Sequence, residues 1–191
     1  LSANKEKIQS FLMGGSQYHI PCFQRPYVWK VENWQEFIES VIEQVEVSDD
    51  SESEHFIGTI IVQQKESTKI GAIEYDLVDG QQRLTTICLL LKALQDLAQK
   101  DATKNWIQNL VTFTDSEAEL CPRIIHSRKD VELFEAVLFD ATHNQENWEA
   151  LTALPKDQWD DFFNKTLEHK AVLGCYLYFR STLSEYLAAK N

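Results

Sequence analysis

Apolar residues recur along the chain at two alternating periods, one helical and one extended. Over residues 33–45, Trp34, Phe37, Ile38, Val41, Ile42 and Val45 stand three and four apart with glutamates between them, which predicts an amphipathic helix. Asn33 is a good N-cap for it, and Gln35, Glu36 and Glu39 suit a helix start. Residues 56–64 (FIGTIIVQQ) are rich in β-branched side chains and read as a buried strand. A second strand is expected over 73–78, pairing with the first as a hairpin across the loop 65–71. Leu84, Ile87, Cys88, Leu91 and Leu94 then mark the buried face of a strong helix that reaches to residue 99.

The flanking segments are shorter. Residues 4–13 form a helix with Ile8, Phe11 and Leu12 on one side, stopped by Gly14-Gly15, and Tyr18, His19 and Ile20 make a brief strand. Residues 22–29 are too aromatic for a solvent loop and too broken by Pro26 for a regular element. Residues 47–55 read as an acidic, serine-rich loop. Beyond residue 104 the pattern is mostly helical: 105–111, then 130–139 through Val131, Phe134, Val137 and Leu138, short helices at 148–154 and 159–163 around Pro155, and a closing helix over 167–189. Residues 123–125 suit a short strand. The mixture of elements predicts an α+β fold.

Composition narrows the class. The chain has 191 residues, 43% hydrophobic and 25% charged, as in ordinary globular proteins. No apolar run is long enough to span a bilayer, and Lys5, Glu6 and Lys7 interrupt any leader, so a cytoplasmic protein without membrane contact is expected. The opening Leu1 and the helical ending suggest a piece of something longer. Cys22, Cys88, Cys121 and Cys175 lie far apart, which suits reduced, mostly buried thiols, and the five histidines are as scattered; a structural metal is not expected. The net charge of −12 argues against broad DNA binding through phosphates alone, yet a local positive site inside an acidic protein stays open.

Two segments carry chemistry. In 74–91 (EYDLVDGQQRLTTICLLL) a strand ends, Asp79-Gly80 turns, and a helix begins, bringing backbone N–H groups and the positive end of a helix dipole to one point. Gly80 removes side-chain bulk where a ligand could approach. Neither a P-loop nor a G-x-G-x-x-G pattern is present. Asp79 at N-cap with Gln82 at N3 would also form a capping box, and that accounts for Asp79, Gly80 and Gln82 without any function. It leaves Gln81 and Arg83 unexplained, because a cation in a first helical turn opposes the macrodipole by roughly 0.3–1 kcal/mol unless an anion is bound there. In the second segment, Phe23, Tyr27 and Trp29 suit either base stacking or the core, with the core favoured for Phe23 and Trp29. Gln24 and Arg25 suit reading a base edge or holding a phosphate, or, for Arg25, pairing with a nearby Glu.

These stretches, IPCFQRPYVWKVENWQEF, FIGTIIV and YDLVDGQQRLTTICLLLKAL, resemble the N-terminal domain family of GmrSD-type restriction endonucleases, whose hallmark is DGQQR. The likeness is close over 18–97, and 123–138 and 169–187 are similar to the family's weaker helical motifs. The resemblance implies a ParB/sulfiredoxin-like core with a small mixed sheet and flanking helices over 1–111, followed by a mainly helical extension over 112–191 packed on that core. It further implies a nucleoside triphosphate site with Mg²⁺, in a domain that senses modified phage DNA and gates an HNH nuclease. Carried over onto this sequence, Asp79, Gln82 and Arg83 are the catalytic candidates, with Asp79 holding the metal or orienting water. Gln24, Arg25, Tyr27, Gly80, Gln81, Thr85 and Thr86 are the nucleotide-binding candidates. No HNH-like cluster occurs, so DNA cleavage by these residues is not expected. The alternative is a DNA-recognition module in which Arg25 and Arg83 contact phosphates without hydrolysis.

Overall fold

The computed structural model describes residues 4–47, 56–66, 73–127 and 130–190. The expected acidic loop lies outside the described residues from 48 onward, and the expected 65–71 connection from 67 onward. Six strands form among the described residues: β1 (Ser16–His19), β2 (Ile61–Gln64), β3 (Ile73–Asp79), β4 (Thr112–Thr114), β5 (Leu120–Pro122) and β6 (Ile124–Ile125). Four of them make a mixed sheet in the order β2-β3-β1-β6, and β4 pairs with β5 separately. β1 runs parallel to both β3 and β6, with Tyr18 opposite Tyr75 on one side and Ile124 on the other. β2 is antiparallel to β3, as the hairpin pattern predicts.

Each parallel pairing needs a crossover. Between β1 and β3 the chain passes through α2 (Val31–Val47) and β2. Between β3 and β6 it passes through α3 (Gln81–Leu97) and α4 (Asp101–Val111). A short α1 (Ile8–Leu12) precedes the sheet, and α5 (Val131–Phe139), α6 (Ala141–Thr152), the single turn α7 (Trp159–Asp161) and α8 (Ala171–Lys190) follow it. α3 is the centre of the core, packed against α8, α4 and α5. Leu84, Thr85, Thr86, Cys88, Leu89 and Ala93 are wholly buried, so this helix is enclosed on more than the single face its apolar spacing predicts. Gly174 in α8 admits the rim of Trp34 from α2: a Cβ there would lie 2.9 Å from Trp34 Cη2.

Three local expectations differ. Asn33 is not the N-cap of α2; the helix starts two residues earlier, and Asn33 Oδ1 accepts the Lys30 N–H from within the first turn at 3.2 Å. The apolar stripe of α2 also ends short, since Val45 is 61% exposed. Residues 56–64 are not a buried strand: only Ile61–Gln64 pair, at the edge of the sheet, and Phe56 is 78% exposed. β-branched composition signals an extended chain, whereas burial depends on position in the sheet, and Gly58 at φ +101° interrupts the run.

The second half is tied to the sheet by Arg123, among the largest fully buried side chains. Its Nη1 donates to the carbonyls of Gly14 and Ser16, and its Nη2 to those of Asn109 and Thr112, at 2.6–2.9 Å. One guanidinium thus holds the entry to β1, the end of α4 and the start of β4 together. Cys88 and Cys175 are free thiols inside the core, and burial pushes the Cys88 thiol up to about 12; Cys22 is exposed. No helix among the described residues is long and apolar enough to cross a membrane.

Candidate functional site

β3 ends at Asp79, Gly80 turns the chain at φ +91°, and α3 begins at Gln81. The capping box expected from the sequence does not form. Gly80 itself is the N-cap and no side chain caps the helix. Asp79 Oδ1 instead accepts the adjacent Gly80 N–H at 2.8 Å. A left-handed turn at this point selects glycine, and a Cβ on Gly80 would also press to 3.1 Å from the Thr59 carbonyl. The backbone N–H groups of Gln81, Gln82 and Arg83 donate to none of the described residues. The start of a 17-residue helix is therefore left with donors unmatched among the described residues.

Three glutamine amides join the two sequence motifs. Gln24 Nε2 donates to the carbonyls of Leu77 and Val78 at 2.7 and 3.0 Å, pinning the first motif to β3. Gln81 Nε2 donates to the Arg25 carbonyl at 2.7 Å. Gln82 is engaged at both ends of its amide: Nε2 donates to the Pro26 carbonyl at 3.0 Å and Oε1 accepts the Val28 N–H at 2.9 Å. Gln82 is thus occupied in fixing the backbone on either side of Tyr27, which accounts for the placement that a capping box does not.

The two arginines differ in support. Arg83 Nη1 donates to the Thr59 carbonyl at 2.6 Å. Its guanidinium lies against Gly58, where an added Cβ would come within 2.6 Å of Cζ. Gly58 therefore belongs to the site, and the available signal was a glycine inside a β-branched run, which marks close approach of another group. Arg25 is exposed, and its guanidinium makes no hydrogen bond or ion pair with any described residue. In particular, no described Glu pairs with it.

Gln24, Arg25, Trp29 and residues 79–83 line an open cavity of about 200 Å³ at the start of α3. Gln24, Arg25 and Gln81 also border a second cavity of about 150 Å³. Both motifs therefore meet at one place. Tyr27, Thr85 and Thr86 line neither cavity. Tyr27 is 4% exposed; its hydroxyl lies 2.6 Å from Thr86 Oγ1, accepts from Trp34 Nε1 at 3.1 Å and contacts Cys175 Sγ. Burial holds the Tyr27 phenol far above its ordinary range. Thr85 Oγ1 meets His126 Nε2 at 3.3 Å. Phe23, for which the core was favoured, is 84% exposed on the turn closed by the Gln24 N–H to the Pro21 carbonyl, while Trp29 is half-buried against Phe37. Aromatic composition favours burial on average, but this turn faces outward.

The donor set suits magnesium held together with phosphates. Asp79 is the one carboxylate lining the larger cavity, and only its Oδ1 has a partner among the described residues. Mg²⁺ is commonly held by one or two carboxylates with the remaining positions filled by phosphate oxygens and water.

The α+β frame thus brings two arginines, one carboxylate and an uncapped helix start together. Residues 5–190 match the model of the GmrSD restriction endonuclease N-terminal domain, and the chain belongs to that family. The family places it in a restriction system that acts on DNA. No match was found among the curated proteins.

Proposed function

We propose that this domain binds a nucleoside triphosphate with Mg²⁺ in the cavity at the start of α3 and hydrolyses it, and that this gates an HNH nuclease acting on modified phage DNA in the cytoplasm. Arg25 is the observation that carries this reading. In a protein of net charge −12, its guanidinium stands without a partner among the described residues, beside the donors of an uncapped helix. Arg83 adds a second cation in the first turn, where the macrodipole disfavours a positive charge and a bound anion offsets that cost.

Phosphoryl transfer is catalysed mainly by positioning and by stabilising charge on the transferring group. Arg25, Arg83 and the N–H groups of residues 81–83 supply that charge complement, while Gln24, Gln81 and Gln82 fix the backbone that carries Arg25. Bound Mg²⁺ would neutralise charge on the phosphate oxygens, and Asp79 would hold it. The carboxylate oxygen of Asp79 not engaged with Gly80 is also available to orient water.

Equilibrium binding of GTP, ATP, UTP and CTP tests the assignment. Arg25→Ala should weaken the bound nucleotide by about 10- to 100-fold, the range for one desolvated charge-assisted contact. Unchanged affinity in a folded variant would remove Arg25 from the site. A DNA-recognition module without hydrolysis would instead show DNA affinity falling steeply with salt and no nucleotide binding.

A further inference from the structure

The smaller cavity shares Gln24, Arg25 and Gln81 with the proposed phosphate site, and Ile20, Cys22, Pro26, His126, Ser127 and Asp130 complete its lining. We propose that it receives the base of the nucleotide whose phosphates occupy the larger cavity; this inference rests on the nucleotide reading above.

Size and chemistry both fit a planar nitrogen heterocycle. A cavity of about 150 Å³ is large enough for one aromatic ring. Ile20 and Pro26 give it apolar surface for a ring face, and Gln24, Gln81, His126, Ser127 and Asp130 give it polar groups for ring-edge donors and acceptors. Asp130 is 8% exposed, and its Oδ2 accepts the Tyr27 N–H at 2.7 Å. A carboxylate is an acceptor for the ring or amino N–H groups of a base. His126 is 5% exposed, and burial lowers its pKa to about 3, so the ring is neutral at physiological pH and offers one donor and one acceptor. Its Nε2 meets Thr85 Oγ1, and its other nitrogen has no hydrogen-bond partner among the described residues. The shared wall matters most: Arg25 and Gln81 border both cavities, so a single nucleotide can span from one to the other across them.

The test compares nucleoside triphosphates with inorganic tripolyphosphate, both with Mg²⁺, by calorimetric titration of the whole chain. Tripolyphosphate reports the phosphate site alone. The wild-type protein should bind its preferred nucleotide at least about tenfold more tightly than tripolyphosphate. Ser127→Phe, which fills the smaller cavity, should abolish that advantage and leave tripolyphosphate affinity unchanged, while Ser127→Ala should retain it. Cys22→Trp, from an exposed position lining the same cavity, gives a second filled variant should the first fail to fold. Retention of the full advantage in a folded, filled variant would overturn the proposal, as would equal affinity of the wild-type protein for nucleotide and tripolyphosphate. Binding of neither by the wild-type protein would instead overturn the nucleotide reading, and this inference with it.

Discussion

Replacing Gly58 by alanine should strike the site through Arg83. Two costs arise at that position. Gly58 has φ +101°, a conformation that costs a side-chain-bearing residue about 1–3 kcal/mol. The new Cβ would also lie 2.6–2.9 Å from the Arg83 guanidinium, so that group must move and release the Thr59 carbonyl. The lost hydrogen bond is solvent-exposed, which limits its worth to about 1 kcal/mol. Gly58→Ala should therefore cost about 2–4 kcal/mol in the wild-type background. In an Arg83→Ala background only the backbone penalty remains, so the double-mutant cycle should give a coupling of about 1 kcal/mol. Gly14→Ala is the control, since Gly14 has φ +81° and nothing within 4 Å of an added Cβ. Urea unfolding midpoints at constant m-value measure all of these. The same penalty for Gly58→Ala in both backgrounds would show that Arg83 does not rest against Gly58.

Further outcomes follow from the same contacts. Gln82→Ala removes the partner of the Val28 N–H and the Pro26 carbonyl; it should cost about 1–3 kcal/mol in urea unfolding and weaken nucleotide binding although no charge is lost. Tyr27→Phe leaves the buried Trp34 indole N–H without its acceptor and should cost about 1–3 kcal/mol, while nucleotide affinity stays within about twofold because Tyr27 lines neither cavity. His126 gives a pH signature. Burial lowers its pKa from 6.5 to about 3, so between those values the unfolded chain binds a proton that the folded protein excludes, and stability falls as pH drops. Its share of the slope approaches about 1.4 kcal/mol per pH unit. Unfolding of His126→Gln from pH 6.5 down to 4.5 should be shallower than wild type by that amount, and parallel curves would contradict the assignment.

What the sequence made legible was local periodicity and motif. The α2 and α3 spacings, the antiparallel β2–β3 pair and the strand near residue 124 follow from patterns a few residues long. The meeting of Gln24-Arg25 with DGQQR was legible only through family resemblance, because the hydrogen bonds that join them connect residues far apart in the chain. For the same reason Tyr27 and Thr86 looked like ligand contacts, although they meet each other inside the core. In the sequence Arg123 reads only as the first residue of a short strand over 123–125. Its role depends on four carbonyls gathered by the tertiary fold, and no local pattern encodes that. Phe23 was misjudged on composition, since apolar character does not reveal which way a turn faces.

Phosphate release from GTP, ATP, UTP and CTP with Mg²⁺, compared between wild type, Arg25→Ala and Arg83→Ala, decides whether this site hydrolyses nucleotides. The wild-type protein should turn over at least one nucleotide. Each folded variant should be slower by about 10²–10³-fold, the scale for losing one charge-stabilising group. No turnover by the wild-type protein, or undiminished turnover in both variants, would contradict hydrolysis at this site.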